Sequence, residues 1–301
     1  MADVFAIGPN APWSQIERAL DALLGKRFEE IADDSRDFCT SIMRSKSLLG
    51  DIIQEDYFRI AKNSREGPDF TAEAIEVKVT PLKLVNGGKE IKQKEALSLS
   101  QIDYYEMCRE ENWQDVTKLT NKLGRTLIIW YLYLDKKEMN NFPDVSTKAE
   151  LRAKYPVVWW HLWEPLANPP PQLQEDYSLL RDTARDGKHL SRSLTTYLSA
   201  IPKHSGSYCK EEPSHSDQQA LSEHPYLNYA RKLGYYIDDG LIEILAESAD
   251  IPLLSNQYGE KIPRVWKADL FKAMSAKATG ETLDTRNNYR ITDFSTSLDN
   301  T

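Results

Sequence analysis

Long apolar runs are missing from this chain. No stretch of about 18 consecutive apolar residues occurs, which argues against a membrane-spanning helix. The opening Met1-Ala2-Asp3-Val4-Phe5 lacks the basic-then-apolar order of a secretory signal. Cysteine is scarce: Cys39, Cys108 and Cys209 are odd in number and far apart. That argues against a disulfide framework and for reduced thiols in a cytoplasm. The histidines His161, His189, His204, His215 and His224 show no zinc spacing. Neither a GxGxxG pattern nor a phosphate-binding loop is present, so no nucleotide cofactor is expected. Glycine and proline stand at ordinary levels and no internal repeat occurs, which excludes fibrous and solenoid classes. Excess positive charge is lacking too. The net charge is −8, which argues against nonspecific nucleic-acid binding over the whole surface.

What is there begins with size. With 301 residues the chain can bury a large core, as one big domain or two lobes. Positive charge is concentrated locally: Lys78, Lys83, Lys89, Lys92 and Lys94 face a single acid, Glu90, between positions 78 and 94. The segments Arg181 to Lys210 and Lys261 to Lys277 are also locally positive. Phosphate contacts depend on such patches, although a solvated face is the commoner explanation of any one of them.

The stretch around which the chain is organised runs from Gly67-Pro68-Asp69 to Thr80-Pro81-Leu82. Ala74 to Thr80 is β-branched and alternating, the pattern of a strand with one buried face. Glu76 and Lys78 then share one face while Ile75, Val77 and Val79 take the other. The turn started by Gly67-Pro68 can bring Asp69 back beside them. Two carboxylates and the carbonyl of Val77 are hard oxygen donors of the kind Mg²⁺ takes, with water and phosphate completing its shell. A lysine beside them can hold the attacking water or stabilise charge on a phosphate.

The flanking segments read as follows. Ser14-Gln15-Ile16-Glu17 predicts a capping box, followed at helical spacing by Ile16, Leu20, Leu23, Leu24, Phe28 and Ile31. A second helix is expected from about Phe38 to Ile60, and Val85-Asn86-Gly87-Gly88-Lys89 predicts a hairpin turn. Lys94 to Cys108 predicts a helix. Thr126 to Leu134 is too apolar for an edge and predicts a central strand. Val157 to Trp163 predicts another strand, whose Trp159, Trp160 and Trp163 belong to core and groove wall. Gln172 to Asp186 predicts a helix stopped by Gly187. Ser205 to Asp217 predicts a loop, Pro225 to Glu247 a helical pattern broken near Asp238-Asp239-Gly240, Ile262 to Ala278 a strand and a helix, and Ser295 to Thr301 a frayed end.

The spacing Asp, six residues, Glu, one residue, Lys resembles that of the PD-(D/E)xK nucleases. From about Leu48 onward, segments in order resemble the MutH family, which comprises the mismatch-repair nicking endonuclease and related type II restriction enzymes that cut at GATC. The matching segments are Pro68-Asp69-Phe70 with Glu76-Val77-Lys78 and Thr80-Pro81-Leu82, then Asn121-Lys122-Leu123-Gly124-Arg125 ahead of the apolar strand. Glu175-Asp176-Tyr177, Gly187-Lys188, Tyr197-Leu198-Ser199-Ala200-Ile201-Pro202-Lys203 and Ile262-Pro263-Arg264-Val265-Trp266 follow.

The resemblance implies an α/β restriction-endonuclease-like fold, a mixed sheet flanked by helices with two lobes around a DNA cleft. One nuclease domain would span 1–301, with a catalytic lobe at about 1–135 and a DNA-reading lobe at about 136–301 holding an insertion at 205–260. It also implies Mg²⁺-dependent hydrolysis of duplex DNA. Asp69 and Glu76 would be metal ligands, Val77 would lend its carbonyl, Lys78 would be the catalytic lysine, and Lys122 either a second active-site lysine or a helix-end lysine. Pro202 and Lys203 would form the reading loop, Lys203 touching a base edge or a phosphate, with Arg264 and Trp266 on a further DNA-facing strand.

Two departures matter. The family's glutamate four residues after a glycine is here Gln54, after Gly50, which can accept a hydrogen bond from a metal-bound water without adding charge. An arginine of the repair enzyme is here Ile201. The Ile201 difference and the insertion favour a type II restriction endonuclease over a mismatch-repair nickase, while Gln54 keeps a non-catalytic DNA-binding module of the same fold as a further alternative. Cutting both strands needs a second active site, from a homodimer on the DNA or a second visit.

Overall fold

The computed structural model describes residues 7–33, 48–61, 67–85, 90–136, 139, 142, 144–202 and 233–237. The described chain forms two compact units. The first draws on the chain up to Lys94 and on Thr126–Trp163, the second on Glu95–Arg125 and the described part of Glu164–Ile244. The boundary expected near residue 135 falls inside the first unit, because the strands on either side of it pair with each other. Among the described residues no helix is long and apolar enough to cross a membrane.

The first unit is built on strands β1 (Glu76–Val85), β2 (Glu90–Gln93), β4 (Thr126–Leu132) and β5 (Val157–Trp163), in the order β2-β1-β4-β5. The sheet is mixed: β1 runs parallel to β4, while β2 and β5 are antiparallel to their neighbours. This agrees with the mixed α/β fold expected. β4 is central because six of its seven residues are buried, and a strand buried on both faces belongs inside a sheet. β1 and β2 pair through Val85 and Glu90, on either side of 86–89, where the hairpin was expected.

Register defines the two faces. Val79, Ile129 and Trp160 lie in one cross-strand row; Lys78, Ile128 and His161 lie in the next, on the opposite face. Helix α1 (Trp13–Leu23) and the short α2 (Phe28–Ile31) cover the Val79 face. The Trp13 ring meets Trp160 edge-on at 6.1 Å and Phe28 meets Tyr131 at 5.4 Å. Ile16, Leu20, Leu23, Leu24, Phe28 and Ile31 are all buried, as their spacing requires. The expected capping box is not used: α1 starts two residues earlier, after Pro12, with no cap from its own side chains. The Trp13 N–H instead donates to the Glu73 carboxylate at 2.8 Å. Helix α3 (Leu48–Asp51) passes into a π-helical turn, Ile52–Tyr57, not the α-helix expected to Ile60.

The second unit holds an antiparallel sheet in the order β3-β7-β6, from β3 (Leu97–Gln101), β7 (Leu233–Ile237) and β6 (Leu198–Pro202). Around it lie α4 (Tyr104–Arg109), α5 (Thr117–Leu123) and α7 (Pro171–Arg185), while α6 (Lys148–Ala153) belongs to the first unit. Two expectations fail here. Leu97–Gln101 lies in the segment read as a helix, and Leu233–Ile237 in another helical pattern; both are strands. Each forms because it pairs with the other across more than a hundred residues, a gain no local window carries. α7 ends as predicted: Gly187 takes φ +76, its N–H donates to Ala184 O and that of Lys188 to Thr183 O, both at 3.0 Å, a Schellman motif.

Candidate active site

β1 begins at Glu76 after a tight connection. Phe70 and Ile75 exchange backbone hydrogen bonds, Phe70 N–H to Ile75 O at 2.9 Å and Ile75 N–H to Phe70 O at 3.1 Å. Residues 71–74 form the turn, which closes with Ala74 at φ +54. One position outward on each arm stand Asp69 and Glu76, so the pairing itself brings the two acids opposite one another.

The Asp69 side chain then fixes its own place. Oδ2 accepts the Val77 N–H at 2.8 Å. A strand residue's N–H and C=O leave the backbone on the same side. The Val77 carbonyl therefore opens toward the edge where Asp69 sits, away from β4. Glu76 projects from the adjoining position with only 5% of its surface exposed. An acid buried this far needs a partner, since stripping one member from a buried pair costs about 3–5 kcal/mol. Lys78 supplies it: Nζ lies 2.7 Å from Glu76 Oε1. Asp69, Glu76, Val77 and Lys78 thus converge.

The row through Lys78 continues to Ile128 on β4 and His161 on β5. With neighbouring strands about 4.8 Å apart, the His161 backbone stands about 10 Å from that of Lys78. The His161 ring lies 6.0 Å from that of Trp159, and desolvation by burial pushes its pKa down to about 4. Its zinc-free sequence context gave no reason to single it out.

The other expected site residues belong to other segments. Gln54 sits half-buried on the π-helical turn, and its backbone carbonyl accepts the Ile60 N–H at 2.8 Å. A π-helical turn carries one more residue than an α-helical turn, so positions after it lose α-helical register. Lys122 is half-buried in the last turn of α5, within the second unit. Its helix closes on Gly124, where a Cβ would stand 3.1 Å from Thr120 O. Pro202 is the exposed last residue of β6. Lys203, Arg264 and Trp266 lie outside the described residues.

Asp176, quoted above only as part of a matching segment, has a role that the sequence did not give it. It projects from α7, 9% exposed, and accepts from three successive backbone N–H groups: Thr196 at 3.3 Å, Tyr197 at 2.6 Å and Leu198 at 2.8 Å. It thereby fixes the entry to β6. Only a carboxylate offers that many acceptor sites at one point, but nothing local in the sequence announces the contact.

Among the described residues no group of three or more His, Cys, Asp or Glu is placed to hold a metal. The donor set here is different in kind: two carboxylates and a backbone carbonyl, with a lysine alongside. All are hard oxygen donors and suit Mg²⁺ or Ca²⁺ better than zinc.

Residues 58–176 match the family described as DNA mismatch repair enzyme MutH. The chain is also 28% identical over 182 residues to the type II restriction enzyme Sau3AI of Staphylococcus aureus, an alignment covering 60% of this chain and 34% of that enzyme. The chain thus spans about a third of the length of the curated relative it matches. Asp69, Glu76, Lys78 and Lys122 all fall inside the segment that matches the MutH family.

Proposed function

We propose that the protein is a type II restriction endonuclease that hydrolyses phosphodiester bonds in duplex DNA at a short specific site, with GATC the first sequence to test. The observation that carries this reading is the meeting of Asp69, Glu76, the Val77 carbonyl and Lys78 at the start of β1, inside a segment of MutH type. Asp69, Glu76 and Val77 would hold Mg²⁺. Bound there, the ion supplies a Lewis acid that offsets charge on the phosphoryl oxygens.

The chain's own residues do the rest. Asp69, tied to the Val77 N–H, is held in place before substrate arrives, which lowers the cost of assembling the site. Lys78 carries its positive charge on the same face as Glu76, where it orients the incoming water and stabilises the oxyanion as the phosphoryl group is transferred. Water adds to phosphorus as the bond to one bridging oxygen breaks, leaving one strand end with phosphate and the other with hydroxyl. Gln54 would accept a hydrogen bond from a water of the site. Lys122 serves as a second lysine toward the DNA backbone, and Pro202, Lys203, Arg264 and Trp266 form DNA contacts, Lys203 at a base edge. The partner is double-stranded DNA, met by a homodimer or by successive visits.

The test is plasmid cleavage with Mg²⁺, with binding measured separately in Ca²⁺. Asp69→Ala and Lys78→Ala should each abolish cutting while binding persists; normal cutting by both variants would sink the assignment. The description of the matched family favours a second reading, a mismatch-repair nickase. Linear product from wild-type protein alone supports restriction, and nicked circles without linear product support the nickase.

A further inference from the structure

We infer that the segment 8–13 is a clamp that holds the Asp69–Glu76 connection in its metal-binding shape, with Glu73 as its main positioning residue. The inference rests on the metal role proposed for Asp69 and Glu76.

From within, the connection is held by the Asp69 carboxylate on the Val77 N–H and by one backbone pair. That pair is Phe70 with Ile75, and the turn ends in a non-glycine residue at φ +54. That conformation is unfavourable for an L-residue and persists only when surrounding contacts impose it. The contacts come from the N-terminal segment. The Thr71 N–H donates to Pro9 O at 2.8 Å, and the Thr71 hydroxyl stands 3.2 Å from Pro9 O and 2.7 Å from Asn10 Oδ1. At the other end of the turn, Glu73 Oε1 accepts the Trp13 N–H at 2.8 Å.

Glu73 thus sits at the N-terminus of α1, where the unsatisfied N–H groups and the helix dipole favour a carboxylate. Both flanks of the clamp are themselves fixed. The Gly8 N–H donates to Phe58 O at 3.0 Å, the Phe58 ring packs on Phe70 at 5.2 Å, and Trp13 packs on Trp160 of β5. Turn and clamp therefore close a ring of contacts around the segment that joins the two acids. Loosening Glu73 frees the 71–74 turn to leave its φ-positive state, and Asp69 and Glu76 no longer stay opposite one another. Metal affinity falls first, because two carboxylates that must be brought together bind a divalent ion less tightly than two already held.

The experiment is Mn²⁺ binding by calorimetry, with metal-induced shifts in melting temperature as a second readout, on wild type and Glu73→Ala, Glu73→Gln, Thr71→Val, Asp69→Asn and Ala19→Gly. Ala19 is buried in the middle of α1, six positions after Trp13, so its variant weakens the helix while keeping the side chains of the clamp. Expected is a loss of about tenfold in Mn²⁺ affinity for Glu73→Ala, a smaller loss for Thr71→Val, and partial rescue in Glu73→Gln, whose amide oxygen still accepts from Trp13. Ala19→Gly should bind as wild type does. Affinities of Glu73→Ala and Thr71→Val within twofold of wild type, or an equal loss in Ala19→Gly, overturn the clamp. So does Mn²⁺ binding that Asp69→Asn leaves unchanged. Plasmid cleavage by the wild type is scored separately: a protein that binds Mn²⁺ through Asp69 but cuts no DNA refutes the nuclease reading and leaves the clamp standing.

Discussion

His161 makes the stability of the first unit depend on pH in a direction that its burial fixes. The imidazole is pushed down to about 4 from an ordinary value of 6.5 because the β5 site strips water from its charged form. In the unfolded chain the ring takes up a proton as pH falls through 6.5; in the folded protein it does so only near 4. Between these values the unfolded state binds more protons, so stability rises with pH. The contribution is complete above 6.5, is lost as pH falls, and levels off below about 4. One pH unit is worth about 1.4 kcal/mol, so the whole separation amounts to about 3 kcal/mol, of which about 2 kcal/mol is lost by pH 5.

The perturbation that isolates this term is His161→Phe, which keeps a ring beside Trp159 and removes the titration. Urea unfolding of both proteins at pH 7.5, 6.5, 5.5 and 5.0 gives their stability difference at each pH, and every other titrating group cancels in that difference. Relative to the variant, wild type should lose about 0.4 kcal/mol by pH 6.5 and about 2 kcal/mol by pH 5. Parallel stability curves over this range would show that the folded protein protonates His161 as readily as water does. A relative gain for wild type in acid would mean that an anion, not desolvation, governs the ring.

Other expected outcomes are more local. Ala74→Gly removes the penalty of φ +54 and should raise stability by about 0.5–1 kcal/mol after the glycine's greater unfolded-state entropy is counted; a lower urea midpoint would refute the strain. Asp176→Ala strands the N–H groups of Thr196, Tyr197 and Leu198 and should cost about 2–3 kcal/mol, with Asp176→Asn losing less; equal losses in a denaturation experiment would count against the three-bond account. Lys203→Ala should narrow discrimination between cognate and altered sites by about 1–3 kcal/mol if it reads a base; an unchanged ratio of affinities removes it from that role.

How much of this was readable beforehand depends on whether the stabilising partner is near in sequence. β1 and β4 could be read because alternation and continuous apolarity reflect the faces a strand must bury, and both signals sit inside the strand itself. The end of α7 was readable because Gly187 meets a backbone requirement within four residues. β3 was not. Glu95, Ala96 and Leu97 are good helix formers, and the segment they open becomes a strand because its distant pairing partner β7 decides the outcome. The cap of α1 was misread for the same reason. Ser14 and Glu17 have the right identities and spacing, yet the helix starts ahead of them, at Trp13, whose N–H is taken by an acid 60 positions away. The Asp69, Glu76 and Lys78 grouping was legible, but the groups that hold it, Thr71, Glu73 and the 8–13 segment, were not.

That asymmetry follows from how the spacing of the motif arises. Lys78 comes two residues after Glu76 because strand side chains return to the same face every second residue. The seven-residue step from Asp69 to Glu76 has another origin: a four-residue turn closed by the Phe70 and Ile75 pair puts the flanking positions, and no others, opposite each other. One residue more in the turn would leave Glu76 and Lys78 on their face but shift Asp69 out of step with the Val77 N–H it accepts. The spacing on the strand is therefore guaranteed by backbone geometry alone. The spacing across the turn holds only while something outside it keeps Ala74 in a conformation it does not favour. A short motif can thus be recognised from its residues, yet the competence of the site depends on a segment some 60 residues upstream that carries none of the motif's residues.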